Sequence, residues 1–466
     1  MYWQRDEIRN GGRYNTAAGA VVKSIFLMLM ILGQTLPRGA EAALFHVPNS
    51  DNPQPSAQQL IDAVTAANAA GEPAVIEIEA GIYTFTQAAD HVEGDNALPA
   101  ITGDITLRGM GVGPAQTIIQ RDNTTVDVPK FRIMHVTPTG KLTLERLTLR
   151  GGETGCDDRC ADNDHPVDTG GGVYVLGYRK VENGREIRGQ LFVRNSILRD
   201  NKSESFGGAI CNDGGYVEVV DSLIANNRTP YTIDGAGIYN DAHYPQHLAT
   251  AKRPAMFGQL IVRRSTFREN IAGGEGAAIY NESGNVYIYD SMITANFARR
   301  GGGGIGNGVG SLNVNNSTIY GNYTMGQGGG VLASRSNDKS SDPLLSWMKL
   351  NNVTVNGNVA DGSLTDTNGN VLGGGGLALY WGYVELKNTI ISGNSDPSGR
   401  ECFTPLPDNS SYIGIISLGN NVIKNFSSCT PYLTTAKPNI LATKSEPVIS
   451  SALAYNDRLE IDIPRR

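Results

Sequence analysis

The sequence VRRSTFREN at residues 262–270 decides the fold, because close copies of it recur at a fixed distance. It returns 26 residues later as IYDSMITAN (288–296) and after another 26 as VNNSTIYGN (314–322). A period of this length is typical of solenoid proteins, in which each repeat forms one coil. Seven copies are present, separated by 26, 43, 26, 26, 36 and 36 residues, and they end in Asn201, Asn227, Asn270, Asn296, Asn322, Asn358 and Asn394.

Each copy alternates between apolar and polar residues, which is the pattern of a β-strand with one buried face. The positions ten and eight before the final asparagine are aliphatic or methionine in all seven copies, as in Leu260 and Val262. A glycine-led segment such as GAAIYN (276–281) follows most copies and predicts a second strand. A unit this short cannot bury its apolar face alone, so the copies are predicted to stack into a parallel β-solenoid.

Two ladders of turn residues are expected along this stack. The final asparagines form the first ladder, because asparagine tolerates a left-handed backbone and its side chain can bond to turn amides. An Asn or Asp six residues earlier forms the second ladder in most copies, and it includes Asp221 and Asp290. We therefore interpret these two acids as structural and not as catalytic.

Composition and charge narrow the class of protein. The chain has 466 residues, of which 57 are glycine, and only 18% are charged. These values disfavour helical bundles and coiled coils. The net charge is −7, so the chain lacks the basic character of a nucleic-acid-binding protein.

The N-terminal segment has the pattern of a secretory signal peptide. Lys23 precedes the apolar run IFLMLMIL (25–32), and AEA (40–42) supplies a small-residue cleavage site. The run is too short to span a bilayer. We therefore predict a signal peptide over residues 1–42 and an exported protein, which is extracellular, periplasmic or at the cell surface and has no transmembrane span in its mature chain.

One domain is predicted to follow. Ser56 and Gln59 match a capping box, and Gly71 stands where a helix would stop. We expect an all-β domain of nine or ten coils over residues 43–430, a capping helix near 56–70 and a C-terminal tail over 431–466.

The order of these segments resembles that of secreted right-handed parallel β-helix proteins of the pectin-lyase-like superfamily. The resemblance is carried by AANAAG (66–71), GIYTF (81–85) and the repeated patterns S-x-[IF]-x-x-N and G-G-[AG]-I-Y-N. The pieces FREN (267–270) and GGAI (207–210) also resemble the paired repeats of polymorphic outer-membrane proteins, which are adhesin-like autotransporters. The resemblance implies a right-handed β-helix and covers roughly residues 44–430.

The cysteines and one acidic loop offer structural or metal-binding roles. Export makes disulfides possible: Cys156 and Cys160 would close a short loop, Cys402 and Cys429 flank the last recognisable segment, and Cys211 is the odd cysteine. Several carboxylates in one loop would suit Ca²⁺, although a solvated acidic loop is the alternative. These acids are Asp157, Asp158, Asp162, Asp164 and Asp168.

A strip of cationic and aromatic residues on the polar face of the repeated strand is predicted to bind an extended glycan. Insertions at 177–189, 241–258 and 334–346 should emerge beside it along one edge. An ordinary solvated strand face is the alternative reading. The strip consists of Arg194, Arg263, Tyr287, Tyr289, Lys349 and Lys387.

Four residues are candidates for catalysis. Arg194 and Arg263 are candidate bases for a lyase, and His243 and His247 in the largest insertion are candidates for an acid–base or metal role. We predict a secreted or cell-surface β-helix protein that binds polysaccharide or other surface ligands in an adhesin-like manner. A polysaccharide lyase or glycoside hydrolase acting on an acidic glycan is the alternative, and a structural surface filament is a third hypothesis.

Overall fold

The computed structural model describes residues 42–49, 53–155, 168–182, 185–243, 256–334, 346–364, 373–404, 413–425, 429 and 440–442. Within them the chain forms four β-sheets, one α-helix, α1, at Pro53–Ala69, and one short 3-10 helix at Pro114–Gln116. Almost all strand pairs are parallel and join successive coils in register, as the repeat predicts.

Sheet 1 contains twelve of the described strands, and it is formed by the first strand of the repeat. Leu260, Val286 and Leu312 are neighbours in register and fully buried. The residues between them point outward, so one face of the sheet packs on the core. The strands of sheet 1 are Ala43–Val47, Ala74–Ile78, Asp104–Gly109, Lys141–Glu145, Gln190–Arg194, Tyr216–Val220, Gln259–Arg263, Asn285–Tyr289, Ser311–Asn315, Trp347–Asn351, Gly382–Lys387 and Ile413–Ser417.

Sheet 2 follows sheet 1 in each repeat after a tight turn and also contains twelve of the described strands. Its central residues, such as Phe267 and Ile293, are fully buried and face the same core. The strands of sheet 2 are Gly81–Phe85, Thr117–Arg121, Thr148–Arg150, Ile197–Arg199, Leu223–Ala225, Thr266–Arg268, Met292–Thr294, Thr318–Tyr320, Thr354–Asn356, Ile390–Ile391, Val422–Lys424 and Ile440–Ala442.

Sheets 3 and 4 complete the coil. Sheet 4 is a short sheet with the described strands Arg228–Tyr231, Ile271–Gly273, Phe297–Ala298, Tyr323–Thr324 and Val359–Ala360. Sheet 3 is formed by the glycine-led segments and two antiparallel additions, and its described strands are Met134–Val136, Val173–Glu182, Arg185–Arg188, Ile210–Asp213, Ile238–His243, Met256–Phe257, Ile279–Asn281, Ile305–Asn307, Val331–Ala333, Leu377–Leu379 and Cys402–Phe403.

The chain is therefore a right-handed parallel β-helix, as predicted. In the central part of the stack each coil passes through sheets 1, 2, 4 and 3 and returns to sheet 1 one strand further along, whereas the described coils before Arg228 have no strand of sheet 4. Such crossovers between parallel strands are right-handed in almost all proteins. The twelve described strands of sheets 1 and 2 extend the stack beyond the nine or ten coils expected. Most of the additional strands precede residue 140, where pairing persists although the repeat pattern does not, and Ile440–Ala442 adds one strand to sheet 2 after residue 430.

The asparagine ladder stabilises the turn after sheet 2. Its members are buried, and each Nδ2 donates to Oδ1 of the next ladder asparagine at 2.8–3.0 Å. The left-handed conformation falls on the residue before the ladder, as in Asn226 (φ 53°), and not on the ladder asparagine itself. It also falls on the second ladder, where Asp221 and Asp290 have φ of 50° and 51°, which supports their structural role.

Helix α1 covers the beginning of the stack. Leu60, Val64 and Ala67 are buried along one side of it, and the left-handed Gly71 (φ 68°) follows its end. The helix begins at Pro53, so Ser56 lies within its first turn and is not the N-cap that the capping-box pattern predicts.

Cys402 and Cys429 form a disulfide with their Cα atoms 5.9 Å apart, and Cys211 is the free, buried cysteine among the described residues. Cys156 and Cys160 lie outside the described residues, as does the predicted signal peptide except for Ala42. In the predicted tail, Ile440–Ala442 pairs with Val422–Lys424. No helix in the described ranges has the length and apolar character of a membrane span.

Candidate active site

A column of three acidic residues lies at the end of sheet 3. The asparagine that ends each glycine-led strand is followed by Asp213, Asp241 and Glu282 in three successive coils. Asp213 pairs in register with Asp241, and the Glu282 amide donates to the Asn240 carbonyl at 2.9 Å, which continues the parallel pairing by one coil. Stacking at the spacing of β-strands, about 4.8 Å, therefore brings three carboxyl groups together.

Asp213 is held by two side chains that meet at one of its oxygens. The Tyr174 hydroxyl donates to Oδ2 at 2.9 Å, and Nδ1 of His243 lies 2.9 Å from the same oxygen. The other oxygen, Oδ1, receives no hydrogen bond from the described residues. The side chains of Asp213 and His243 remain 25% and 18% exposed, so the pair is accessible to a ligand.

Asp241 has a different environment. Its Oδ1 accepts hydrogen bonds from the Ala242 amide at 2.6 Å and the Ser283 hydroxyl at 2.5 Å, whereas the Tyr239 hydroxyl lies 3.5 Å from Oδ2. Burial, followed by the negative charges of Glu282 and Asp213, raises the pKa of Asp241 to about 8. Asp241 is therefore protonated at neutral pH, and Oδ2, which among the described residues accepts only the long hydrogen bond from the Tyr239 hydroxyl, is the oxygen that carries the proton.

His243 lies against the carboxylate of Asp213, with 2.9 Å between Nδ1 and Oδ2. Burial lowers its pKa, but the hydrogen bond to Asp213 and the negative charge of Asp213 outweigh burial and raise the pKa overall. The imidazolium therefore compensates the carboxylate of Asp213. The antiparallel pairing of His243 with Met256 fixes the backbone at this point.

Aromatic rings pack beside the acidic column. Phe206 stacks on Tyr239 with ring centroids 4.2 Å apart, and Tyr239 stacks on Tyr280 at 5.8 Å. Burial, with the nearby carboxylates, raises the pKa of Tyr174, Tyr239 and Tyr280 well above the usual value. These phenols therefore stay protonated and act as hydrogen-bond donors.

A second pair of acids lies close to the same tyrosines. The Glu275 amide donates to Oδ1 of Asp234 at 2.6 Å, and the Ser334 hydroxyl donates to Oε2 of Glu275 at 2.8 Å. Burial raises the pKa of both carboxyls, and the charge of Glu275 raises that of Asp234 further. The region therefore contains several buried carboxyl groups with raised pKa values, a feature common at sites of acid–base chemistry.

The predicted glycan-binding strip lies on the outer face of sheet 1. Arg194, Arg263, Tyr289 and Lys387 occupy one outward column, and Tyr287 and Lys349 occupy the next. These residues are thus on a different sheet from the acidic column, so the candidate bases Arg194 and Arg263 do not join it.

Several charged side chains of this strip already contact other residues of the protein. Arg194 is 3.7 Å from Glu218, and Lys349 is 3.2 Å from Glu385. Arg263 lies over the ring of Tyr289 at 4.4 Å. A ligand that binds this face as a polyanion would have to compete with these partners.

Of the other predicted site residues, His247 and the acids Asp157, Asp158, Asp162 and Asp164 lie outside the described residues. Asp168 is described and is buried, and its backbone carbonyl accepts hydrogen bonds from the hydroxyls of Thr154 and Ser203, both at 2.6 Å. Within the described ranges no group of three His, Cys, Asp or Glu side chains is arranged to hold a metal ion. The Ca²⁺ hypothesis therefore stays a prediction.

Sequence analysis found His243 but missed its carboxylate partner and the column around it. The signal was present in the repeats, where the pattern I-[CY]-N is followed by an acid at Asp213, Asp241 and Glu282, whereas the next repeat reads IGN and is followed by Gly308. These acids have no local signature, because each follows the asparagine that ends a glycine-led strand and they lie 28 and 41 residues apart in the chain.

Comparison with known proteins gives a similarity of shape only. No family model and no curated protein matches the chain. The A-module of mannuronan C-5 epimerase AlgE6 from Azotobacter vinelandii is 15% identical with a TM-score of 0.42, covering 86% of this chain and 94% of that chain. The AlgE4 A-module of the same organism is 13% identical with a TM-score of 0.44, covering 83% and 91%.

A third structure, an iota-carrageenase in complex with iota-carrageenan fragments, is 10% identical with a TM-score of 0.34, covering 88% of this chain and 93% of that chain. Similarity at this level identifies neither a substrate nor a catalytic residue. The likeness of the repeats to polymorphic outer-membrane proteins stays a prediction. The strand order and register of the chain itself make it a right-handed parallel β-helix.

Proposed function

We propose that this chain is an exported polysaccharide-acting enzyme, and that it cleaves glycosidic bonds with Asp241 as general acid and Asp213 as its ionised partner. The observation that carries the proposal is the pairing of these two residues on neighbouring strands, one with a pKa of about 8 and the other bonded to His243. Two carboxyl groups with opposite protonation states are what glycoside hydrolysis needs.

The spacing of the strands supports this reaction class. Residues in register on neighbouring strands are about 4.8 Å apart, which is close to the roughly 5–5.5 Å between the two carboxyl groups of retaining glycosidases. In such a reaction the Oδ2 proton of Asp241 passes to the glycosidic oxygen. Oδ1 of Asp213, which accepts no hydrogen bond from the described residues, attacks the anomeric carbon or activates water.

Two neighbours of each carboxyl group would support these roles. His243 and Tyr174 both bond to Oδ2 of Asp213, so they orient the carboxylate and leave Oδ1 to react. Ser283 and the Ala242 amide bond to Oδ1 of Asp241, so they direct its proton to Oδ2. The stacked tyrosines are buried, so they pack behind the reacting groups and hold the Tyr174 hydroxyl against Asp213.

The test is the release of reducing ends from a panel of polysaccharides by the purified full chain. Asp241→Asn and Asp213→Asn should each lower the rate by at least about 100-fold, because removal of a general acid or base costs about 10²–10⁴. Asp290→Asn is the matched control, since this acid lies in a turn between sheets 1 and 2, and it should keep the wild-type rate.

Two results would refute the proposal. Equal rates for the wild type, Asp241→Asn and Asp213→Asn would exclude the acidic column as the catalytic site. Formation of unsaturated uronate products, followed by their ultraviolet absorbance, would replace hydrolysis with a lyase reaction and would bring Arg194, Arg263 and His243 back as candidate bases.

A non-catalytic, adhesin-like role is the second candidate function. It is favoured by the aromatic and cationic side chains of sheet 1, which form a surface independent of the acidic column. If it is correct, the protein will retain polysaccharide without releasing any product.

A further inference from the structure

We propose that the outer face of sheet 1 carries a separate binding groove for an uncharged stretch of polysaccharide, centred on Tyr216. The groove lies on a different sheet from the acidic column and uses none of its residues. It therefore goes beyond the proposed hydrolysis and does not depend on it.

The groove is a cavity of about 790 Å³ between sheet 1 and the segments beside it. Its size falls within the range of about 300–1,000 Å³ that is usual for ligand sites. Ile187 belongs to the added strand Arg185–Arg188, and Pro138 belongs to the turn before Lys141–Glu145. These two residues form the walls, and the floor consists of Gln190, Phe192, Tyr216 and Gln259.

The floor alternates amide and aromatic side chains in register. Gln190 pairs with Tyr216, and Tyr216 pairs with Gln259, on three neighbouring strands. Phe192 packs beside Tyr216 with ring centroids 5.6 Å apart. Neither amide group nor the Tyr216 hydroxyl is hydrogen-bonded to another described residue. An aromatic surface flanked by unused amides suits a sugar ring, which has an apolar face and a rim of hydroxyl groups.

The charges around the groove favour an uncharged ligand. Lys141 and Arg194 both lie near the Phe192 ring, at 5.8 and 5.4 Å. Lys141, however, is paired with Asp104 at 3.0 Å and Arg194 with Glu218 at 3.7 Å, and Arg188 on the wall is also engaged with another residue. A polyanion would therefore gain little attraction and would meet the carboxylate of Glu218.

The same column continues beyond the groove toward a second pair of aromatic rings. Trp347 follows Tyr216 four strands later in register, which is a distance of about 19 Å at the usual strand spacing. It packs against Tyr383 with ring centroids 5.5 Å apart, and its buried indole nitrogen has no hydrogen-bond acceptor among the described residues. Polar residues lie between the two aromatic pairs, namely Gln259, Asn285 and Ser311.

This column points to an extended chain as the ligand. Rings at each end would stack on sugars. The Gln259 and Asn285 amides between them would bond to sugar hydroxyl groups, and Ser311 orients Asn285 by donating to its Oδ1 at 2.7 Å. A single monosaccharide would reach only one aromatic pair. We therefore expect oligosaccharides to bind more tightly as they lengthen.

The groove also lies one corner away from the acidic column. Only Gly214 and Gly215 separate Asp213 of sheet 3 from Tyr216 of sheet 1, so the Cα atoms of these two residues are within about 11 Å. A polysaccharide held in the groove is thus near the proposed catalytic residues, although the two sites use separate side chains.

The experiment measures retention of the full chain in native gels that contain soluble polysaccharide. Mixed-linkage glucan, galactomannan and arabinoxylan serve as uncharged probes, and polygalacturonate and a sulfated galactan serve as charged probes. The Asp241→Asn variant is used throughout, so that the result does not depend on hydrolysis. We expect at least one uncharged probe to retard migration, with less than a twofold change in apparent affinity as the salt concentration is raised tenfold.

Substitutions locate the site. Phe192→Ala and Tyr216→Ala, each made in the Asp241→Asn background, should weaken binding about tenfold. Tyr231→Ala in the same background is the matched control, because Tyr231 is an exposed aromatic residue of sheet 4, and it should bind normally. Circular dichroism of each variant checks that the fold is intact.

Three results would overturn this proposal: no retardation by any uncharged probe, tightest binding to a polyanion with loss of binding in salt, or normal binding by both Phe192→Ala and Tyr216→Ala. Its failure is distinct from failure of the proposed hydrolysis. Cleavage without retention would refute only the binding groove. Retention without cleavage would refute only the proposed hydrolysis.

Discussion

Replacement of one buried ladder asparagine should destabilise the solenoid by several kcal/mol. Asn296 is 1% exposed and lies in the middle of the ladder. Its Nδ2 donates to the carbonyls of Phe267 and Thr294 at 3.1 and 3.0 Å and to Oδ1 of Asn322 at 2.9 Å. Its Oδ1 accepts from the amide and from Nδ2 of Asn270, at 3.1 and 2.9 Å.

Asn296→Ala removes all five of these hydrogen bonds. Each bond contributes about 1 kcal/mol to stability, and buried groups left without a partner carry an additional cost. The free energy of unfolding should therefore fall by about 3–5 kcal/mol. Asn316→Gly is the matched control, because Asn316 belongs to the exposed second ladder and has a left-handed backbone (φ 49°) that glycine adopts readily. It should lower the free energy by less than about 1 kcal/mol.

Urea unfolding followed by circular dichroism measures both values. The dependence of the free energy on urea must be the same for the two variants and the wild type, since stacked coils do not always unfold in one step. If Asn296→Ala unfolds at the same urea concentration as Asn316→Gly, the ladder contributes no more than an exposed turn and the reasoning is wrong.

Two other changes test the site and the close packing of the coils. The pKa of Asp241 is raised on folding to about 8, so the native state binds an additional proton and stability should fall as pH rises from about 4 to 8. Asp241→Asn should flatten this decline in urea midpoints measured across that range, and an unchanged slope would contradict the assignment. Gly237→Ala should cost about 2–3 kcal/mol in the same unfolding assay, because its Cβ would lie 2.2 Å from the Ala278 carbonyl oxygen. Gly113→Ala, where no atom lies within 4 Å of the new Cβ, should be neutral, and equal effects of the two would refute the packing argument.

The fold was predictable because each coil repeats the same physical solution. Leu260, Val286 and Leu312 fall at equivalent positions of the repeat and pair in register in sheet 1. Insertions of 10 or 17 residues leave this register unchanged, since they emerge at the edges between sheets. The prediction was wrong only for single residues. Asn226, the residue before the ladder asparagine, has the left-handed conformation that was expected at the ladder position itself.

The candidate site was less predictable, because its residues have no chemical signature within one repeat. Asp213, Asp241 and Glu282 each follow a scaffold asparagine and look alike in sequence. Their different environments arise from neighbours in other coils. Tyr174 and His243 bond to Asp213, whereas Ser283 bonds to Asp241 and Glu282 acts on it through its charge.

The sequence by itself thus determined the parallel stack, its buried face and its turn ladders, because a regular period places residues of the same type next to one another in successive coils. Only the tertiary structure decided which side chains meet across coils and how strongly each is buried. Burial and neighbouring charge raise the pKa of Asp241, and the approach of the added strand Arg185–Arg188 to sheet 1 creates the groove at Tyr216. Both effects depend on distances between residues that lie far apart in the chain, which no repeat pattern specifies.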